Sequence, residues 1–185
     1  AQSAADGVLR GTLGMVNAKP GRLDAGLLPL AAANLAYTGA GSLWAFTNLR
    51  LHPPGKGHVG GSGSLRDGTV RLDLKLQGID PSQLHGKLRP IVISGTATLA
   101  GNDVEQKLEA TIQGANLQAH ISARHAGNTL SVDRAQLQAG KGRIDLSGRL
   151  TLNTAQEFSL TGTFSQLDPS RFLQAPSAQL NGSVN

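Results

Sequence analysis

The sequence predicts an all-β chain: one long, strongly curved, mainly antiparallel sheet. Its apolar face either closes on itself as a sandwich or β-solenoid or folds over into an open groove with an apolar interior. Three observations predict it. Apolar and polar residues alternate with period two almost without relief from residue 58 onward, the segments between alternating runs are short, and glycine recurs at one phase of the alternation. Period two places one side of each strand against a core and the other in water. Short connections join antiparallel neighbours, because a parallel crossover needs about a dozen residues or more.

Residues 1–57 form a less regular strand region. Leu9-Arg10-Gly11-Thr12-Leu13 is its first alternating phrase. The Ala- and Leu-rich stretch that follows predicts a short helix over 25–36, capped by Asp24, with Pro29 at the edge of the first turn where a helix tolerates it. Trp44, Phe46 and Leu51 resume a strand, and the run HPPGKGHVGGSGS predicts a loop.

Residues 58–185 form the regular repeat. Val70, Leu72, Leu74 and Leu76 fall on one side of a strand, Arg71, Asp73, Lys75 and Gln77 on the other. After Pro90 the apolar phase continues through Ile91, Ile93, Gly95, Ala97 and Leu99, then through Leu108 and Ile112, and through Leu117 and Ile121. Ile144, Leu146 and Leu150, and then Leu160 and Phe164, carry it on, and no charge interrupts any of these sets. About ten such strands at ~4.8 Å spacing make a sheet roughly 50 Å long.

Two phrases recur. Ile79-Asp80-Pro81-Ser82-Gln83-Leu84 returns as Leu167-Asp168-Pro169-Ser170-Arg171-Phe172. Asp before Pro favours a turn and Pro before Ser starts a helical one, so each copy breaks the ladder and tucks Leu84 or Phe172 beneath an edge. The second phrase is a glycine flanked at two residues' distance by apolar side chains: Gly11, Gly95, Gly148, Gly162 and Gly182. Glycine weakens a strand interior, and its repetition at one phase points to the sharp bends of a coiled sheet.

Composition narrows the function. With 3% aromatic residues the core must be aliphatic, and 24 glycines add no volume, which suits a long, thin interior. Cysteine is absent, which excludes disulfides and thiolate chemistry, and no apolar run reaches the roughly 18–20 residues that span a bilayer. The chain starts at Ala1 and stops at Asn185 in mid-pattern, and reads as a piece of a longer protein. The net charge of +5 comes from singly scattered Lys and Arg, with no basic run beside stacking aromatics, so no nucleic acid is expected as a partner.

Catalytic constellations are not apparent. His52, His58, His85, His120 and His125 stand in no ligand spacing, and His120 and His125 are expected on either side of a turn, facing solvent. Lys56 and Lys141 are each followed by Gly, not by the Ser or Thr of a phosphate loop. Asp73, Glu105, Glu109, Asp133 and Asp145 are dispersed at polar strand positions. The expectation is a protein without enzymatic activity, metal or cofactor. What remains is the apolar face, whose exposure costs about 25 cal/mol per Å², so that an open groove would attract acyl chains.

The phrase Leu146-Ser147-Gly148-Arg149-Leu150, its variants at Ile93 and Leu160, the Leu-Asp-Pro-Ser-x-Phe turn and the sustained two-residue period resemble the TamB and AsmA-like proteins of Gram-negative bacteria. The likeness runs from about residue 58 to the end. It implies the periplasmic portion of an inner-membrane-anchored protein, with a taco-shaped groove lined by the apolar rows above. It implies movement of phospholipid, held by its acyl chains, between inner and outer membranes. The alternative it implies is assembly of client barrel proteins and autotransporters by strand addition, beside an outer-membrane barrel partner of the BamA or TamA type.

Overall fold

The structure, a computed structural model, describes residues 2–3, 7–152 and 157–185. Among the described residues the strands are β1 (Gln2–Ser3), β2 (Leu9–Val16), β3 (Ala32–Ala40), β4 (Leu43–His52), β5 (His58–Arg66) and β6 (Thr69–Ile79). They continue as β7 (Ile93–Gly101), β8 (Glu105–Gly114), β9 (Leu117–Ala126), β10 (Thr129–Ala139), β11 (Gly142–Thr151), β12 (Phe158–Leu167) and β13 (Leu180–Val184). All thirteen lie in one sheet in chain order, each antiparallel to its chain neighbours. The sheet is not closed into a barrel, and substantial strand contacts run only between chain neighbours, so among the described residues there is no second layer of a sandwich.

Two local expectations in the first third are corrected. In place of a helix over 25–36 there is one 3-10 turn, Leu23–Ala25, which Gly26 ends at φ 69°. Asp24 does not cap it; its carboxylate accepts the Gly86 amide at 3.0 Å. The Ala-rich run enters the sheet as β3, paired with β2 on one side and β4 on the other. Helix propensity differs by only tenths of a kcal/mol per residue, and two ladders outweigh it. The loop expected over HPPGKGHVGGSGS shrinks to 53–57, because β5 begins at His58 and pairs along its whole length with β6.

Glycine has a consistent partner. Leu74 lies over Gly61, Leu72 over Gly63, Leu146 over Gly162, Phe164 over Gly182 and Tyr37 over Gly11. Each of these is a directly opposed cross-strand pair. A large side chain laid flat over a glycine fills the pleat without thickening the wall. Backbone approach is a second reason, shared by Gly61 and Gly162 and sharpest at Gly95: a Cβ there would collide with the Thr111 carbonyl oxygen and lie 3.0 Å from the Ile112 Cα. The neighbouring backbone comes too close for any side chain.

The ladder is interrupted between Phe46 and Leu49, Leu76 and Ile79, Val132 and Ala135, and Phe164 and Leu167. At each, apolar residues stand three apart instead of two, and an extra residue in the strand returns the second to the apolar face. At three of the four, Asn48, Gly78 and Gln166 take a positive φ, at 51°, 63° and 47°. Asp133 and Arg134 occupy the β10 irregularity, so Asp133 does not hold the regular polar strand position expected of it.

The long connections, 17–31, 80–92 and 168–179, all leave the same rim of the sheet, and they interlock. The Leu23 amide donates to the Leu84 carbonyl and the Arg89 amide to the Phe172 carbonyl, both at 2.9 Å. Leu84 and Phe172 are equivalent positions of the repeated phrase, so the same carbonyl receives the preceding loop both times. Leu88 and Leu173 complete the second junction with an antiparallel bridge. Six strands, β7–β12, separate those two loops and occupy roughly 29 Å of sheet, so the sheet curls to bring them together. The few buried apolar side chains, Ile79 (4% exposed), Ile93, Ala139 (2%) and Leu167, sit at this rim.

Gly95→Ala is expected to destabilise the chain by about 1–3 kcal/mol through overpacking, whereas Gly14→Ala, with open space around its Cβ, should change stability by less than about 0.5 kcal/mol. Urea unfolding of the two variants checks this; equal midpoints would contradict the close approach at Gly95.

Candidate apolar binding groove

The bulges hold a single apolar face across the sheet. One row reads Leu74, Ala97, Ala110, Ile121, Ala135 and Leu146 from β6 to β11. The row beside it carries Leu72, Leu99, Leu108, Ala123 and Val132 and ends at Leu160. On its other side run Leu76, Gly95, Ile112, Ala119 and Leu137, then Ile144 and Phe164. Val70 and Leu150 extend the face toward the short-turn rim, while Ile93 and Leu117 lie at the loop-bearing rim.

Fifteen of the sixteen residues expected to line a groove therefore share this face; the exception is Ile91. It falls outside β7, in the 80–92 connection, because the Pro90 ring removes the amide a ladder would use. The same face extends farther than the sixteen residues. Leu51 pairs with Val59, Leu49 with Gly61 and Phe46 with Gly63, so β4 adds to it. The signal was masked in the sequence by the three-residue step across Thr47 and Asn48.

None of these rows is buried at mid-strand. Leu108 is 36% and Leu160 39% exposed, and among the described residues no large side chain is fully enclosed. The accessible surface is 11647 Å², against about 8,400 Å² for a compact monomer of this mass.

His120 and His125 both lie on β9 with no turn between them. His120 is on the polar face, 3.7 Å from Glu109. His125 is on the apolar face, half-buried, with its Nδ1 2.7 Å from the Gln106 Oε1 on β8. The expectation that both face solvent fails for His125 because it keeps the phase of Ile121 and Ala123.

The opposite face is polar and internally paired. Arg71 bonds Asp73, which also accepts the Thr98 hydroxyl at 3.0 Å; Arg124 reaches Asp133 at 3.2 Å; Arg143 and Gln136 bond Asp145. The Arg71 hydrogen bond, then that of Thr98, holds the Asp73 carboxyl below the ordinary range, and Arg143 does the same for Asp145. Among the described residues no group of three or more His, Asp or Glu is placed to hold a metal ion.

At the loop-bearing rim the groove runs into a recess of about 730 Å³. Ile91, Val92, Leu117 and Ala139 supply its apolar lining, and Arg89 and Arg171 its cations. Comparison with protein-family models, curated proteins and solved structures finds none that matches this chain.

The loop junctions carry a pH dependence. Asp24 is held low by the Gly86 amide, and Asp168 by the Ser170 hydroxyl, with the Ala178 and Ser170 amides adding to it. Carboxylates with lowered folded pKa values stabilise above their unfolded value, and that contribution disappears as pH falls through the folded one. The Gly86 amide shift followed by NMR is expected to titrate below the ordinary 3.8. A midpoint at or above that value would contradict the Asp24–Gly86 contact.

Proposed function

We propose that this chain is a non-enzymatic periplasmic module of a TamB- or AsmA-like protein anchored in the inner membrane. Its apolar groove carries phospholipid between the inner and outer membranes. The observation that carries the reading is a continuous, charge-free apolar face, aligned in every ladder from β6 to β12 and left partly exposed along its length.

Acyl chains are the occupant that such a face fits. Each methylene removed from water contributes up to about 0.8 kcal/mol, and the contribution is alike along the chain. The rows of Leu, Ile, Val and Ala hold cargo by dispersion and water exclusion, with the Gln106–His125 pair as a local polar interruption. Cargo bound this way slides without leaving one deep site for another. Glycines beneath Leu72, Leu74 and Leu146 let these side chains lie flat, which keeps the wall smooth.

Native mass spectrometry of the chain purified without detergent exchange, with organic extraction, is expected to find bound phospholipid. Leu74→Arg or Leu146→Arg should reduce it severalfold while preserving the β-strand circular dichroism. A lipid-free mass after incubation with short-chain phospholipid would overturn this reading and favour the assembly of client barrel proteins by strand addition.

A further inference from the structure

We propose that the recess beneath the loop bridge is a head-group subsite that takes the phosphate of an anionic amphiphile. This deepens the lipid-carrying reading and rests on it. Apolar surface and cations converge here, since Leu117 and Ala139 of the apolar face line the recess together with residues of the connections 80–92 and 168–179.

Charge is unevenly divided between the two rims. Lys19, Arg22, Lys56, Lys87, Arg89 and Lys141 all stand in connections of the loop-bearing rim. Among the described residues, the turns of the other rim carry Asp67, Asp103 and Glu157 and no Lys or Arg. Arg71, Arg124 and Arg143 of the polar face are paired with carboxylates, whereas Arg89, like Lys75 and Arg149 of that face, has no carboxylate partner among the described residues.

Three carboxylates share the loop-bearing rim, and backbone amides engage all of them. Asp24 accepts from Gly86, Asp80 from Ser82, and Asp168 from Ser170 and Ala178. Asp168 also lines the recess, with Arg171 4.0 Å away, so Arg89 leaves the recess with a positive balance.

Both guanidinium groups are positioned by the bridge itself. Arg89 Nε donates to the Leu173 carbonyl at 3.2 Å, and the Arg89 amide holds the Phe172 carbonyl, next to Arg171 in the chain. Arg171 packs against Gly140, where a Cβ would lie 2.9 Å from its Nη1. Two guanidinium groups at the mouth of an apolar recess suit a phosphate oxygen cluster, with the attached chain directed past Leu117 and Ala139 into the groove.

The test uses dodecyl phosphate and the uncharged dodecyl maltoside, titrated calorimetrically below their micellar concentrations, with inorganic phosphate as a third ligand. The expected result is about tenfold tighter binding of dodecyl phosphate than of the maltoside. Arg89→Ala with Arg171→Ala should abolish the preference and leave maltoside affinity unchanged, while Lys19→Ala with Lys56→Ala should keep it. Asn116→Glu, which sets a carboxylate in the recess without touching the bridge, should also abolish it.

A preference that survives Asn116→Glu and the arginine variant, or one that falls equally in the lysine variant, would overturn the subsite in favour of diffuse rim charge. Inorganic phosphate binding as tightly as dodecyl phosphate would overturn the amphiphile assignment. Arginine-dependent binding of dodecyl phosphate without any binding of maltoside would support the subsite while sinking the groove reading; no binding of either would overturn both.

Discussion

Every ladder in this sheet joins chain neighbours in a register that keeps the side-chain phase common. A one-residue slip anywhere would rotate a whole strand and put its charges into the apolar rows. Among the described residues only the loop junctions at one rim reinforce that face, since no second sheet packs on it and few side chains are buried. The backbone ladder and the cross-strand pairs on each face therefore bear most of the stability. The glycine pairs belong to the same constraint: Leu146 over Gly162 and Phe164 over Gly182 fill pleats that no opposing layer would fill.

Curvature follows from where the phase would otherwise be lost. The bulges at Asn48, Gly78 and Gln166 restore it, the first at mid-strand and the other two adding local twist close to the loop-bearing rim. Gly78 and Gln166 occupy equivalent places in the repeated phrase, just before buried Ile79 and Leu167. Asp80 and Asp168 then turn the chain, each accepting the amide two residues on. The repeated phrase is thus a unit: bulge, anchor, turn, and a carbonyl that receives the preceding loop. Two such units with six strands between them turn an open meander into a curl gathered at one rim.

The two rims consequently differ in chemistry as well as in shape. Among the described residues the short-turn rim is mildly acidic and bonded only between nearby turns, as from Asp67 to Ser42, whereas the loop-bearing rim is cationic and crossed by interlocked connections. For a cargo with an anionic head and an apolar tail, this asymmetry gives the groove an orientation that a uniform trough would lack.

By itself, the sequence determined the strands from β6 onward, their antiparallel order and the composition of the apolar rows, because period two and short turns are local properties of the backbone. Local pattern misled where partners were distant: the Ala-rich run after Asp24 became β3 once β2 and β4 were there to pair with it. Ile91 left its row because Pro90 breaks the ladder, and His125 joined the apolar face because phase outranks polarity. Only the tertiary structure decided that the sheet stays open, that Leu84 and Phe172 bind loops rather than merely end strands, and that Arg89 and Arg171 share a recess. Those outcomes depend on curvature accumulated over many strands, and on contacts between loops such as Leu88 with Leu173, which alternation along the chain does not encode.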